Sequence, residues 1–284
     1  MSTIVGIPTL NGSHRLRRLL ASIRTHTDFA RHPGLKLVVC DDGSAQDQVD
    51  GNAQAILEET VLREKVGLEL IKHDARRGIA RSWNDLTRSG TQNIVVLLND
   101  DIEVVDHWLD ALVYTLERNT RLGMVGLNSY VNITKQGFEE LHPGKPYHIR
   151  KPRIDYREAK LLSGGGYLLS SQGCAFGFTR EAFDSVEGFD ERYFCFYEEV
   201  DFGIKLRMQG RFNYILSYPI IFHEGGATTS NPHNMDASHH MERSRQLFYE
   251  KWGRGLEDIR QEFMRAPYDR RVLDEWNTQI HNWR

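Results

Sequence analysis

Hydrophobic positions along the chain fall into short unbroken runs separated by longer stretches of mixed character. Thr3 to Thr9, Lys36 to Cys40, Leu68 to Lys72, Ile94 to Leu98 and Gly123 to Leu127 read as strands. The aliphatic runs lack helical periodicity, which predicts burial on both faces, as in a parallel sheet. Between the first two runs, Leu16, Leu19, Leu20 and Ile23 form an i, i+3, i+4, i+7 stripe, so His14 to Thr25 is expected to be an amphipathic helix. Residues 53–64 predict a second helix, with Ala53, Ile56, Leu57 and Val61 turned inward. Further helices are expected just after Gly78 and over Asp106 to Asn119. Strands alternating with helical stretches of roughly 10–15 residues predict an α/β sheet wrapped by helices.

The pattern loosens in the second half. Residues 128–172 are rich in Gly, Lys, Pro, Tyr and Ser, with Gly164-Gly165-Gly166 as a flexible point, and predict a long binding loop or lid. Order returns at Gly173 to Phe178, a helix near Arg180 to Ser185, and a strand over Tyr214 to Phe222. From Asp236 onward the chain is charged, helical in pattern and dotted with Trp. Leu247, Phe248, Trp252, Leu256, Ile259 and Phe263 recur there at helical intervals, suited first to packing on the preceding domain. Residues 1–235 are therefore expected to form one catalytic domain and 236–284 a C-terminal helical extension.

Composition changes this picture little. Of 284 residues, 40% are hydrophobic and 26% charged, which is ordinary for a globular domain with a real core. A net charge of −3 argues against holding nucleic acid by bulk electrostatics. Cys40, Cys174 and Cys195 are too few and too scattered for a disulfide framework or a zinc cluster, and they suit a reducing compartment. No run approaches the ~18 apolar residues of a membrane span. The expectation is a cytoplasmic protein, with contact at the inner face of the membrane and homodimer formation left open.

Candidate chemistry gathers where strands end. The Ile94 to Leu98 run stops at Asn99-Asp100-Asp101, the first strand at Pro8-Thr9-Leu10-Asn11, and the second at Asp41-Asp42-Gly43-Ser44. Parallel strands share a direction, so these three ends should converge at the edge where open α/β sheets bind ligands. Adjacent carboxylates repel unless a cation or water screens them. A hard divalent ion bridging carboxylate and diphosphate is the functional reading, and a solvated turn is the competing one. There is no Gly-x-Gly-x-x-Gly and no Gly-Lys-Ser/Thr loop, so neither a dinucleotide fold nor a phosphate-loop ATPase is supported.

Taken in order, several motifs resemble the family 2 inverting glycosyltransferases of GT-A fold. They are Ile7-Pro8-Thr9-Leu10-Asn11, Val39 to Ser44, Gly78 to Asn84, Asn99-Asp100-Asp101, Gly188-Phe189-Asp190-Glu191 and Tyr197-Glu198-Glu199-Val200-Asp201. Phe222-His223-Glu224-Gly225-Gly226 and Phe248 to Gly253 add a likeness to the rhamnosyltransferase-like branch. The resemblance implies transfer of a sugar from a nucleotide diphosphate-sugar (UDP-, dTDP- or GDP-linked) to a hydroxyl of a glycan or lipid-linked glycan. It implies that Asp101 binds Mn2+ or Mg2+, with His223 completing the shell. Pro8, Thr9 and Asn11 would shape the nucleoside pocket, and Asp41 or Asp42 would accept a hydrogen bond from the base. Asn99 stands where the family's Asp-x-Asp element begins and suits a ribose hydroxyl, while Asp100 is a neighbour of the ribose or the diphosphate. Gly78 opens the helix whose Arg81 resembles an arginine that approaches the nucleotide. Glu199 aligns with the general base, where Asp is more usual, and Glu198 and Asp201 compete for that role. Two alternatives remain: nucleotidyl transfer, disfavoured by the missing Gly-rich basic loop, and a nucleotide-sugar-binding scaffold, motivated by Asn99 and by Glu at 199.

Overall fold

A computed structural model describes residues 2–141, 173–226 and 236–253. The Gly164–Gly166 point, most of the expected 128–172 loop, and residues 254–284 of the extension lie outside the described residues. The first half is the expected alternation: β1 (Thr3–Thr9), α1 (Ser13–His26), β2 (Lys36–Asp41), α2 (Gln46–Glu58), α3 (Thr60–Val66), β3 (Leu68–Lys72), α4 (Ile79–Arg88) and β4 (Ile94–Leu98). There follow β5 (Ile102–Glu103), α5 (Trp108–Arg118), β6 (Leu122–Val131), α6 (Lys135–Leu141), β7 (Ala175–Thr179), α7 (Arg180–Asp184), α8 (Glu198–Met208), β8 (Phe212–His223) and α9 (Ala237–Trp252).

The strands form one eight-stranded sheet in the order β3-β2-β1-β4-β7-β6-β8-β5. β3, β2, β1 and β4 run parallel, while β7 is antiparallel to both β4 and β6. Side chains alternate between two apolar layers as the period of two requires. Val5, Ile7, Leu37, Val39, Val96 and Leu98 join α1 and α5 on one face. Ile4, Val38, Cys40, Val95 and Leu97 join α4, α7 and α8 on the other. Gly6 is required at this second face, because a Cβ there would lie 2.9 Å from both Leu86 Cβ and Leu97 Cδ2.

Pro8 sits within β1, in the middle of the sheet, where its missing N–H would normally break a ladder. The β1–β4 pairing ends at Gly6 opposite Leu97, whereas β1–β2 continues to Thr9 opposite Asp41. The two central strands therefore part at their carboxyl ends. This is also where the strand order reverses, the place at which such sheets open a crevice.

Three expectations need correction. Residues 53–64 form parts of two helices broken at Glu59, whose ψ of 64° is not helical. Ile56 is buried as expected, but Leu57 and Val61 are exposed, and Ala55, Leu62 and Val66 are buried in their place. The strand expected over Gly123–Leu127 runs on to Val131, because it pairs in parallel with β8, a partner distant in sequence. Part of the expected loop is therefore strand, and α6 follows it.

Trp83 of α4 centres the second layer, 5.2 Å from the ring of Phe176 and 5.1 Å from that of Phe189. Its Nε1 is buried without a hydrogen-bond partner, so the ring contributes through packing alone. Trp83→Ala is expected to lower unfolding free energy by about 3–5 kcal/mol in urea titration, while Trp83→Phe costs much less.

Candidate active site

The ends of β1, β2 and β4 meet. Asn11, in the left-handed region at φ 49°, donates its N–H to Ser44 Oγ at 2.8 Å, and its Oδ1 accepts from the N–H of Ala45 at 2.8 Å. Asp41 Oδ1 accepts from Ser44 N and its Oδ2 from Asn52 Nδ2. Asp42 accepts from the N–H groups of Arg77 and Gly78, each at 2.9 Å, and contacts His73 Nδ1 at 2.7 Å. These two carboxylates thus shape the turns that enclose the crevice. His73 links onward to Asp85 at 3.1 Å, a clamp the sequence pattern did not single out. Gly78 adopts φ 89°, and a Cβ there would overlap the Phe194 carbonyl, which accepts from Ile79 N at 2.9 Å. Arg81 turns to Asp85 (2.8 Å) and Glu191 (3.0 Å), tying α4 to the 188–192 segment.

After β4 the two aspartates separate in role. Asp100 is 5% exposed and accepts from Thr9 Oγ1 at 2.6 Å; Arg15 Nε lies 3.3 Å from its Oδ1. Burial pushes the Asp100 carboxyl up, and Arg15 and Thr9 pull against it, leaving it at about 6. Gly12 makes this packing feasible, since a Cβ there would strike Asp100 Oδ2, Arg15 Nη2 and Thr9 Oγ1. Asp101 instead faces His223, the last residue of β8, with Oδ1 3.3 Å from Nε2. The β5–β8 pairing of Ile102 with His223, together with Glu224 N donating to Asp101 O, fixes that approach. Burial would raise the Asp101 carboxyl, but His223 and Arg15 bring it below its usual value. Burial would lower His223, yet Asp101 and Cys174 lift it to about 10.

Among the described residues, no group of three or more His, Cys, Asp or Glu side chains could cage a metal. The residues nevertheless fit a cation shared with a substrate. Asp101 Oδ1 is buried facing His223 Nε2, and Asn99 Oδ1 is buried without a hydrogen-bond donor. Mg2+ characteristically takes only one or two protein carboxylates and completes its shell with phosphate and water.

Glu199 begins α8 beside this group. Its carboxyl packs on Gly173, where a Cβ would lie 3.2 Å from Glu199 Cδ. The next residue, Cys174, accepts from Asn99 N through its carbonyl at 2.8 Å and contacts His223. The junction at 173–174 thus joins Asn99, His223 and Glu199. Glu198 is more buried, 6% exposed, with Oε2 unpartnered. Burial raises both carboxyls, Glu198 well above the usual range. Asp201 is committed elsewhere: its Oδ1 receives Trp252 Nε1 at 2.8 Å and Lys251 Nζ at 2.7 Å, binding α9 to α8.

A family model, glycosyl transferase family 2, matches residues 4–186. The chain belongs to that family. It is 26% identical to the N-acetylglucosaminyl-diphospho-decaprenol L-rhamnosyltransferase of Mycobacterium tuberculosis, over 84% of this chain and 80% of that protein. Among solved structures it is similar to the mannosyltransferase PcManGT from Pyrobaculum calidifontis in complex with GDP-Man and Mn2+ (TM-score 0.55, 19% identity, 78% of this chain, 56% of that one). It also resembles GalNAc-T7 with UDP, GalNAc and Mn2+ (0.58, 15%, 78% and 44%) and S. aureus TarS 1–349 (0.55, 17%, 78% and 60%). The chain thus spans less than two thirds of each of these structures, and the likeness establishes the fold. This glycosyltransferase has the GT-A architecture expected of its motifs.

Arg15 is the site residue that pattern alone passed over. Its one signal was a place four residues before Leu19, on the edge of the apolar stripe. Arg15→Leu strands a buried carboxylate and is expected to cost about 3–5 kcal/mol in chemical denaturation. Adding Asp100→Asn to that variant recovers part of the loss.

Proposed function

We propose that this glycosyltransferase moves a sugar from a nucleotide diphosphate-sugar, with inversion, to a hydroxyl of a lipid-linked or other glycan, and that it requires Mn2+ or Mg2+. The observation that carries the proposal is the 173–174 junction, which links Asn99 and His223 of the diphosphate side to Glu199 of the acceptor side. The similarity to an enzyme named for a diphospho-decaprenol acceptor supports a lipid-linked substrate, and the Mn2+ complexes of two fold neighbours support the metal. We read 1–235 as the catalytic domain and 236–284 as its helical extension. No helix among the described residues is long and apolar enough to cross a membrane. In this reading a lipid-linked acceptor is met at the membrane's inner face.

In this reading Asp101 and His223 hold the cation, which when bound neutralises the departing diphosphate. Asn99 Oδ1, buried and without a donor, accepts from a ribose hydroxyl. Pro8, Thr9 and Asn11 line the nucleoside pocket, with Asp41 and Asp42 fixing its floor. Asp100, held by Arg15 and Thr9, keeps the Asn99–Asp101 turn rigid. Glu199 takes the proton of the acceptor hydroxyl as that oxygen attacks the anomeric carbon, opposite the leaving diphosphate.

Glu199→Gln is expected to lower turnover by about 100-fold or more while leaving nucleotide affinity unchanged in calorimetry. A base must be ionised to act, and burial raises this carboxyl. Activity should therefore fall as pH drops through a value above the ordinary glutamate range, and a pH–rate profile whose acid limb lies at or below that range speaks against Glu199. Metal dependence has its own test, calorimetric titration of UDP, dTDP and GDP with and without Mn2+. One of the three should bind in a metal-dependent manner, and Asp101→Ala should abolish the metal effect. Turnover that survives both Asp101→Ala and chelation sinks the metal assignment.

A further inference from the structure

Unpartnered polar groups on three elements gather around one short segment. Arg76, in the turn between β3 and α4, keeps Nε and Nη2 buried with no hydrogen-bond partner. His240 of α9 has a buried Nδ1 in the same condition, and Glu198 at the start of α8 has its Oε2. Residues 194 and 195 lie among the three. The Phe194 ring stacks on His240 with centroids 4.4 Å apart and planes at 18°. The Cys195 carbonyl accepts from Ser244 Oγ at 2.7 Å, and the Cys195 thiol feels the charges of both Arg76 and Glu198. Arg76 also acts on His240, where burial and the neighbouring charges of His239, Arg76 and Arg243 outweigh Asp236 and hold the imidazole below its usual range.

The arrangement is built rather than incidental. The backbone of Arg76 is packed under Gly43, where a Cβ would come within 2.6 Å of Arg76 N. The next two N–H groups are held by Asp42. The guanidinium therefore projects from a fixed turn, and the His240 ring is fixed by its stack on Phe194. Native proteins seldom leave buried polar atoms unsatisfied, so each such group asks for an explanation. A guanidinium is a donor only, and Nδ1 of His240 donates in the tautomer that carries its proton there, so an oxygen-rich anion can satisfy both. Arg243, on an exposed position of α9, adds positive charge at the rim.

We propose that Arg76 and His240 form a second anion subsite, distinct from the Asp101–His223 pair, that takes a phosphate or diphosphate group of a substrate. The inference rests on the transfer reading above only in naming a substrate as the carrier. Two sources share this chemistry: the nucleotide donor, and an acceptor carried on a diphosphate. Glu198 faces the same segment and precedes the base Glu199, which places the subsite beside the acceptor side.

The test is calorimetric titration of inorganic pyrophosphate into the full chain in EDTA, so that no metal ion contributes. The unaltered chain is expected to bind, and Arg76→Gln and His240→Gln each to weaken binding about tenfold or more. Arg76→Lys should weaken it less. Should Arg76→Gln fail to fold, His240→Gln with an unchanged circular dichroism spectrum carries the test alone. Repeating the titration with a saturating nucleoside diphosphate identifies the source: pyrophosphate that still binds marks an acceptor phosphate, and competition marks a donor phosphate. No binding by the unaltered chain, or equal binding by the chain and both variants, overturns the subsite. Failure of the metal and donor reading would look different, as loss of metal-dependent nucleotide binding with pyrophosphate binding intact.

Discussion

Two adjacent carboxylates at the end of a buried strand are the constraint on which the site depends. Asp100 and Asp101 cannot share one environment, because burial and mutual repulsion both oppose ionisation. The fold resolves this by sending them to opposite partners. Asp100 goes to Arg15 and Thr9 on the β1–α1 side, and Asp101 to His223 on the β8 side. Each partner comes from a different part of the chain, so the crevice is braced from both flanks. The arrangement requires α1 to begin close to β4, and Gly12 is the residue that lets it do so.

The strand ends were legible because they depend on local composition and on one topological rule. Aliphatic runs ending in Asn, Asp or Gly, repeated at helical spacing, imply parallel strands whose ends converge, and the Thr9–Asp100 and Asn11–Ser44 bonds are that convergence. What escaped sequence reading was set by partners distant in the chain. A place four residues before Leu19 is the one local mark of Arg15, too weak to predict that it alone, and neither Arg17 nor Arg18, is buried. The length of β6 follows from its parallel pairing with β8, about 90 residues away in sequence. The inward face of α3 departs from the sequence pattern because a break at Glu59 resets the helical phase, and Glu carries no strong breaking signal.

The aromatic and acidic stretch from 188 to 201 carries two functions that sequence could not separate. Phe189 is core, sealed by Asn84, which accepts from its N–H and donates to its carbonyl. Asp190 and Asp201 are anchors that Lys251 joins, at 2.8 Å and 2.7 Å. Of the three acids at the start of α8, Asp201 is the one committed to structural partners, while Glu199 packs on Gly173 and Glu198 keeps an unpartnered Oε2. Periodicity placed Glu198 and Asp201 on one helix face; partner count is what tells them apart.

Those partners bear on the base proposed above. Phe196 and Tyr197, neither of them glycine, take φ of 71° and 69° immediately before Glu198. Each such residue costs about 1–3 kcal/mol and persists only where surrounding contacts over-determine it. Here they come from α9: Phe248 packs on the Tyr197 ring at 5.1 Å, Ser244 bonds the Cys195 carbonyl, and Trp252 bonds Asp201. The strained turn fixes the start of α8, where Glu198 is buried and Glu199 partly so. A helix N-terminus favours ionised carboxylates by about 0.3–1 kcal/mol at exposed positions. Burial opposes it, and since both carboxyls are raised, burial wins. A carboxylate held dry in this way binds a proton more tightly than an exposed one, which is what removing a proton from a sugar hydroxyl requires. The C-terminal helix, remote from the strand ends in sequence, thereby tunes the group those ends need.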